Sequence, residues 1–174
     1  YFNEPGVAER EFERDVDTTL RAIYFAASGD AGPRNDPATP NPFGMVPTGR
    51  GLLDALPVPG TLPAWLTESD LAVFVQSYQA SGFRGGLNYY RNLDRNWALQ
   101  GALEGKKVDV PALFLVGERD TGLAIPGMDQ IIDAMPALVP QLRAREIIPG
   151  AGHWLQQEAP QQVNRALIDF LRSL

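Results

Sequence analysis

Two side chains that could act together in proton transfer follow two strand-like segments of the chain. Residues 110–120 form a mostly apolar run that ends at Asp120, and residues 145–148 form a shorter run before the Gly-rich turn that carries His153. His153 is the only histidine. A carboxylate can orient one imidazole nitrogen while the other removes a proton from an attacking group. Acid then histidine, each after a strand, is the order of the last two members of a hydrolytic triad whose nucleophile comes first.

Each of these residues also has an ordinary structural interpretation. An aspartate after a strand can cap the next turn, and a single histidine can be satisfied by nearby backbone groups. For either residue alone, the structural interpretation is the more frequent one. Asp120 and His153 together, in this order and each just after a strand, favour a hydrolase.

The composition excludes several other kinds of site. The chain has 174 residues, enough for one domain with a sizeable core, and a net charge of −6, which argues against nucleic acid or anionic membrane as the main partner. It has no cysteine and one histidine, so thiolate or histidine metal sites are not expected. The apolar runs are far shorter than the ~20 residues of a membrane span. The chain opens at Tyr1 without a signal-like segment, so we expect a cytoplasmic piece of a longer protein.

The chain is predicted to have two parts. Residues 1–105 carry helical patterns, interrupted by residues 28–63, which hold eight of the fifteen prolines and show no apolar period. Residues 106–174 are predicted to alternate strand, helix, strand and helix. Two strands cannot bury both faces of a parallel sheet, so this part must complete a sheet whose other strands lie elsewhere.

The helical patterns give four specific expectations. One helical region runs to about residue 27, and a second helix begins after the capping box of Thr67 and Asp70. A third helix follows the Gly-rich turn before Tyr90. The last helix is predicted for residues 160–171, with the following residues facing inward: Val163, Ala166, Leu167, Phe170 and Leu171.

Four segments resemble motifs of the soluble α/β-hydrolase-fold epoxide hydrolases. YFNEPGVAERE resembles the family's FQxPGxAExE segment and GFRGGLNYYRN its GFRGxLNxYRN helix, while VGERD and GAGHW resemble the acid and histidine segments. The resemblance runs nearly from end to end and is weakest in the Pro-rich loop. It implies the C-terminal portion of an α/β fold, with residues 1–105 as a helical cap, or lid, and residues 106–174 as the last strands and helices of the core.

The resemblance also implies an activity and roles for individual residues. Members convert epoxides to vicinal diols without a cofactor or metal. An aspartate opens the ring to form an ester, two cap tyrosines bind the epoxide oxygen, and a histidine–acid pair activates the water that hydrolyses the ester. Carried over by position, Asp120 is the acid, His153 the base and Tyr90 one of the tyrosines. Pocket-lining positions correspond to Phe2, Trp154 and Leu123.

Other interpretations stay open for these residues. Tyr90 also fits a core aromatic on its helix, and the three pocket-lining candidates fit plain packing. In the family pattern the nucleophile and the second tyrosine precede Tyr1, so the isolated chain is expected to be inactive.

The implied partners are an epoxide, water and the upstream half of the same fold, with no nucleic acid or membrane, and a homodimer is compatible with them. Two rival functions remain. One is another capped hydrolase, such as a haloalkane or haloacid dehalogenase, which would share the acid and histidine. The other is a non-catalytic remnant or binding module of the fold.

Overall fold

The structure is a computed structural model that describes residues 3–33 and 49–174. Those residues form helices and a two-stranded sheet, and none of their helices combines the length and apolar character needed to cross a bilayer. In chain order the elements are α1 (Val7–Glu13), α2 (Val16–Ala27), α3 (Glu68–Ser81), α4 (Arg84–Arg91), α5 (Leu93–Leu99), β1 (Ala112–Gly117), α6 (Met128–Leu138), β2 (Leu142–Ile148), α7 (Leu155–Glu158) and α8 (Pro160–Arg172).

The described residues divide into two compact units. The first contains residues 3–26 and 49–105, and the second contains residues 27–33 and 106–174. The division at residue 105 coincides with the boundary drawn from the sequence. Residues 27–33 differ, because the sequence pattern grouped them with the helical part. Of the Pro-rich segment, residues 34–48 lie outside the described residues, and residues 49–63 contain neither helix nor strand.

The two predicted strands pair in parallel in the second unit. The register runs from Leu113 opposite Ala144 to Gly117 opposite Ile148, after a shift beside Ala112. α6 connects the strands, as the sequence predicts. One face packs on a small core in which Leu115 of β1 joins buried residues from β2, the turn after it, and the last two helices: Ile148, Ala151, Leu155, Ala159 and Val163.

The N-terminal helical region is two helices rather than one. α1 ends at Glu13, with Arg14 as a C-cap that still has helical dihedral angles, and α2 begins at Val16, so Asp15 separates the two helices. The Asp15 carboxylate accepts hydrogen bonds from the Thr18 main-chain nitrogen at 3.1 Å and the Thr18 hydroxyl at 2.7 Å. Such local capping starts a new helix, and it competes with continuation of the preceding one. The segment that carries Tyr90 is also divided, into α4 and α5, although Asn92 between them makes no side-chain cap for α5.

The inward face predicted for α8 is too wide. Val163 and Ala166 are buried and Phe170 is half-buried, but Leu167 and Leu171 are exposed. A two-stranded sheet covers only a narrow stripe of a helix. The spacing of apolar residues therefore identifies the correct side of α8 but overstates how much of it this unit covers.

α3 begins at the predicted capping box. The Asp70 main-chain nitrogen donates to the Thr67 hydroxyl at 3.1 Å, and the Thr67 main-chain nitrogen donates to the Asp70 carboxylate at 3.2 Å. The next turn places Leu71 in the core of the first unit, where it is 0% exposed. The cap and the buried leucine together explain why the helix starts at Glu68.

We expect Leu71→Ala to lower the free energy of unfolding by about 2–5 kcal/mol, because it removes a fully buried side chain and leaves a cavity. Val73→Ala is the matched control on the same helix, since Val73 is 61% exposed; its effect should stay within about 0.5 kcal/mol. Urea unfolding with an unchanged m-value measures both. Equal effects of the two substitutions would contradict this packing.

Candidate active site

Asp120 lies in the turn that follows β1. The Glu118 nitrogen continues the ladder to the Ile148 carbonyl at 3.0 Å, and the Asp120 nitrogen then donates to the Gly117 carbonyl at 3.0 Å. The carboxylate accepts a bond from the Gly122 nitrogen at 2.7 Å and so caps the 3₁₀ turn Thr121–Ala124. The ordinary capping role expected of an aspartate here is therefore present, and it fixes where the carboxylate points.

His153 lies in the turn after β2, and its ring contacts Asp120. The imidazole Nδ1 is 3.2 Å from each carboxylate oxygen of Asp120. The His153 main-chain nitrogen donates to the Ala27 carbonyl at 2.9 Å. The expected proximity of acid and histidine is thus observed. The His153 side chain is 51% exposed and that of Asp120 is 16% exposed, so the histidine is open to solvent and the acid behind it is shielded.

The hydrogen bond to Asp120 raises the pKa of His153 above its ordinary value of 6.5, against the opposing effect of burial, and the charge of Glu158 adds to the rise. When the ring is neutral, the bond to a carboxylate requires the proton on Nδ1. Within the described residues, the hydrogen bonds of the ring involve Nδ1. The lone pair of Nε2 is therefore the one that can accept a proton from water.

Close backbone contact between three segments fixes the turn of His153. A Cβ on Gly117 would collide with the carbonyls of Ala151 and Gly152, and one on Gly152 would collide with the backbone of Ser28 and Gly29. Glycine is required at both places because the main chains themselves touch. The end of β1, the histidine turn and the segment after α2 are thereby packed as one structure within the second unit.

Three charged residues missed in the sequence bind the main chain of this turn or the segment beside it. Glu118 accepts from the Gly150 nitrogen at 2.8 Å, and Arg119 donates to the Gly29 carbonyl at 2.9 Å. Glu158 accepts from the Gly152 nitrogen at 2.8 Å. Glu118 and Arg119 belong to the same VGERD segment as Asp120, a proximity in sequence that could have drawn attention to them. No pattern in the sequence indicates that residues 27–29 lie against the histidine.

The pocket-lining candidates fall in different places. The Trp154 ring packs edge-on against the His153 ring, with centroids 5.0 Å apart and planes at 77°. Leu123 is half-buried in the turn that Asp120 caps. These two therefore lie on the segments that carry the acid–histidine pair. Phe2 lies outside the described residues.

Tyr90 lies on α4 in the first unit. Both Tyr90 and its neighbour Tyr89 are exposed, so the interpretation of Tyr90 as a core aromatic does not hold within this unit. α4 is fixed to α1 by Arg91, whose guanidinium donates two bonds to the Glu9 carboxylate, at 2.7 and 2.8 Å. That bonding holds the pKa of Glu9 at about 2.

No group of three or more His, Cys, Asp or Glu side chains is arranged to hold a metal ion in residues 3–33 and 49–174. The chemistry that these residues can support is proton transfer. Asp120 orients the imidazole, and His153 can take a proton at Nε2.

No protein-family model matches the chain, but individual relatives do. It is 37% identical to epoxide hydrolase A of Mycobacterium tuberculosis over 174 residues, which is 100% of this chain and 51% of that protein. An epoxide hydrolase from an endophytic Streptomyces superposes with a TM-score of 0.89 and 42% identity, over 99% of this chain and 50% of the other. Potato epoxide hydrolase I gives a TM-score of 0.83 and 31% identity, over 99% and 51%.

These likenesses define the chain as a portion of an α/β-hydrolase fold. Its homologues over its whole length are epoxide hydrolases, and it corresponds to their C-terminal part. The chain spans about half the length of the relatives named above. The resemblance inferred from four sequence motifs is thereby confirmed.

Asp120→Asn should lower the pKa of His153, because it removes the carboxylate that chiefly raises it. His153 is the only histidine, so the titration of its ring protons followed by NMR belongs to this residue alone. Asp129→Asn removes the same charge from an exposed position on α6 and is the matched control. Identical titration curves for the two variants would contradict the pairing.

The same shift determines the direction of a stability effect. The folded-state pKa of His153 lies above its unfolded value of about 6.5. The pair therefore stabilises the fold fully below that unfolded value, and the contribution is lost as the pH rises through the folded-state pKa.

Proposed function

We propose that this chain contributes the acid, the base and one oxygen-binding tyrosine of an epoxide hydrolase. The observation that carries the proposal is the Asp120–His153 contact after two neighbouring parallel strands, in a chain whose homologues are epoxide hydrolases. In this proposal the reaction adds water to an epoxide and gives a vicinal diol. The nucleophile belongs to the half of the fold that the chain does not cover. A cytoplasmic location remains an expectation from the sequence.

The first step is ring opening. The carboxylate of an aspartate outside this chain attacks one epoxide carbon, the carbon–oxygen bond breaks, and an alkyl ester forms. The departing oxygen takes a proton from a phenol. Tyr90 suits this role, because a phenol hydroxyl can donate a hydrogen bond, and then a proton, to a developing alkoxide.

The second step is hydrolysis of the ester. His153 removes a proton from water at Nε2 while its Nδ1–H stays bonded to Asp120, and the hydroxide attacks the ester carbonyl. The acyl carbon–oxygen bond then breaks, and the departing diol oxygen takes the proton held by His153. The proton of the newly formed carboxyl group is lost to solvent, from which the phenolate regains one, so the aspartate, the histidine and the tyrosine are all regenerated. The base must be neutral to act, so a raised pKa of His153 moves the acidic limb of the pH profile above pH 6.5.

The two rival functions differ from this proposal in what they need. A dehalogenase would use the same acid and histidine but needs donors to a halide rather than a phenol that protonates an alkoxide. A non-catalytic module would need no ester intermediate at all. The substitutions below separate the three cases, because each removes a group that serves only one of the two steps.

In a protein that joins this chain to the nucleophile-bearing half, we expect His153→Gln to consume about one equivalent of epoxide and then stop. Covalent catalysis in two steps allows the second step to be blocked alone. The protein should gain the mass of one substrate molecule, which intact-mass spectrometry measures after incubation with a simple aryl epoxide.

The 174-residue chain by itself is the control, and it should gain no mass because it lacks the proposed nucleophile. Multiple turnover by His153→Gln, or an adduct on the chain alone, would overturn the mechanism. The absence of both turnover and adduct with the unsubstituted chain in the same joined protein would favour a non-catalytic module or a different substrate.

We expect Tyr90→Phe to slow single-turnover ring opening, because it removes one donor to the departing oxygen. Loss of such a donor typically costs about 10²–10³ in rate, and a second tyrosine would leave residual activity. Tyr89→Phe is the matched control, since it removes the same hydroxyl from the adjacent position of the same exposed segment of α4. Equal rates for the two variants would refute the role of Tyr90.

A further inference from the structure

The Glu158 carboxylate is bonded to main-chain groups on both sides of His153. One oxygen accepts from the nitrogens of Gly152 and Gly29, each at 2.8 Å. The other accepts from the Trp154 nitrogen at 2.9 Å. Gly152 and Trp154 are the residues immediately before and after the histidine. One side chain thus binds the main chain at both neighbours of the base.

The same carboxylate also binds the segment that accepts a hydrogen bond from the His153 main chain. The His153 nitrogen donates to the Ala27 carbonyl at 2.9 Å, and Gly29, two residues further on, donates to Glu158. Acceptor and donor lie in one short segment after α2, so Glu158 holds the segment that in turn holds the histidine backbone. Glu158 itself ends α7, and its nitrogen donates back to the Trp154 carbonyl at 2.9 Å.

We propose that Glu158 is a positioning residue for His153, whose carboxylate fixes the turn so that Nδ1 faces Asp120. The carboxylate suits this task because it is an acceptor only, with room for several N–H donors, and bonds to a charged acceptor are stronger than neutral ones. A glutamine has one acceptor oxygen and one amide that donates. If its oxygen keeps the two glycine donors, its NH₂ group is left facing the Trp154 N–H.

This role differs from general stabilisation in what it predicts for the ring. In the part of the chain that the structure describes, charged side chains that bind this turn or the segment beside it include Asp120, Glu118 and Arg119 after β1, and Glu158 at the end of α7. If the turn loosens, the 3.2 Å contacts between Nδ1 and Asp120 are made less of the time. The neutral ring then carries its proton on Nε2 more often, which is the wrong tautomer for accepting a proton from water there.

The first test measures the ring and needs no activity. In Glu158→Gln we expect the ¹⁵N shifts of the single imidazole to move toward the Nε2–H tautomer, and this is the deciding measurement. The pKa of His153 should also fall, but loss of the Glu158 charge contributes to that fall whether or not the turn loosens. Glu146→Gln is the same change at an exposed position of β2, and it should leave the imidazole tautomer and the titration of His153 unchanged. Glu158→Asp keeps the charge on a shorter stem and should move the tautomer part-way. If circular dichroism shows that Glu158→Gln does not fold, Glu158→Asp becomes the test variant in its place.

The second test uses the joined protein and rests on the proposed function. In Glu158→Gln, ring opening should be unchanged, while ester hydrolysis falls by up to about 10²-fold and the ester accumulates, because misplacement of the base affects only the second step. A structural defect would instead lower both steps together, and that result would overturn the proposal. So would folded Glu158 variants that keep the tautomer of the unsubstituted chain. The absence of both turnover and ester with the unsubstituted joined protein would count against the proposed function, and the ring measurement alone would then decide the role of Glu158.

Discussion

The parallel pairing of β1 with β2 is the constraint on which the candidate site depends. Because both strands run in the same direction, their carboxyl ends meet at one edge, with Gly117 opposite Ile148. The chain then needs only three residues to reach Asp120 and five to reach His153. Two groups far apart in sequence are thereby brought to a 3.2 Å contact by backbone hydrogen bonding rather than by their own attraction.

The electrostatics of the pair follow from this placement. Asp120 is shielded and bonded to a main-chain nitrogen as well as to the imidazole, whereas His153 is about half exposed. A shielded carboxylate fixes the tautomer and favours the charged ring, while the open side of the ring remains in reach of water. A base that must exchange protons with solvent and still keep one orientation requires both conditions.

Main-chain hydrogen bonds hold the histidine turn in place, together with the buried side chain of Ala151. Four main-chain N–H groups of the turn donate hydrogen bonds: those of Gly150, Gly152, His153 and Trp154. Three of the four acceptors are glutamate side chains. A turn this short and Gly-rich offers little apolar surface to bury. Charged acceptors therefore add to the support that the turn receives from its contact with the hydrophobic core.

The sequence by itself determined the elements that local patterns control: both strands, the capped helix after Thr67, and the acid and histidine after successive strands. Its motifs also identified the family. One predicted helix is two in the structure, because the Asp15 side chain caps the start of α2 where the apolar pattern predicted a continuous helix. Only the tertiary structure decided which apolar residues of α8 are covered, and that Ala27 and Glu158 support His153. Glu158 lies only four and six residues from the two nitrogens that it binds beside His153, but its bond to Gly29 and the bond of His153 to Ala27 join segments more than a hundred residues apart. Such contacts leave no periodic trace in the sequence.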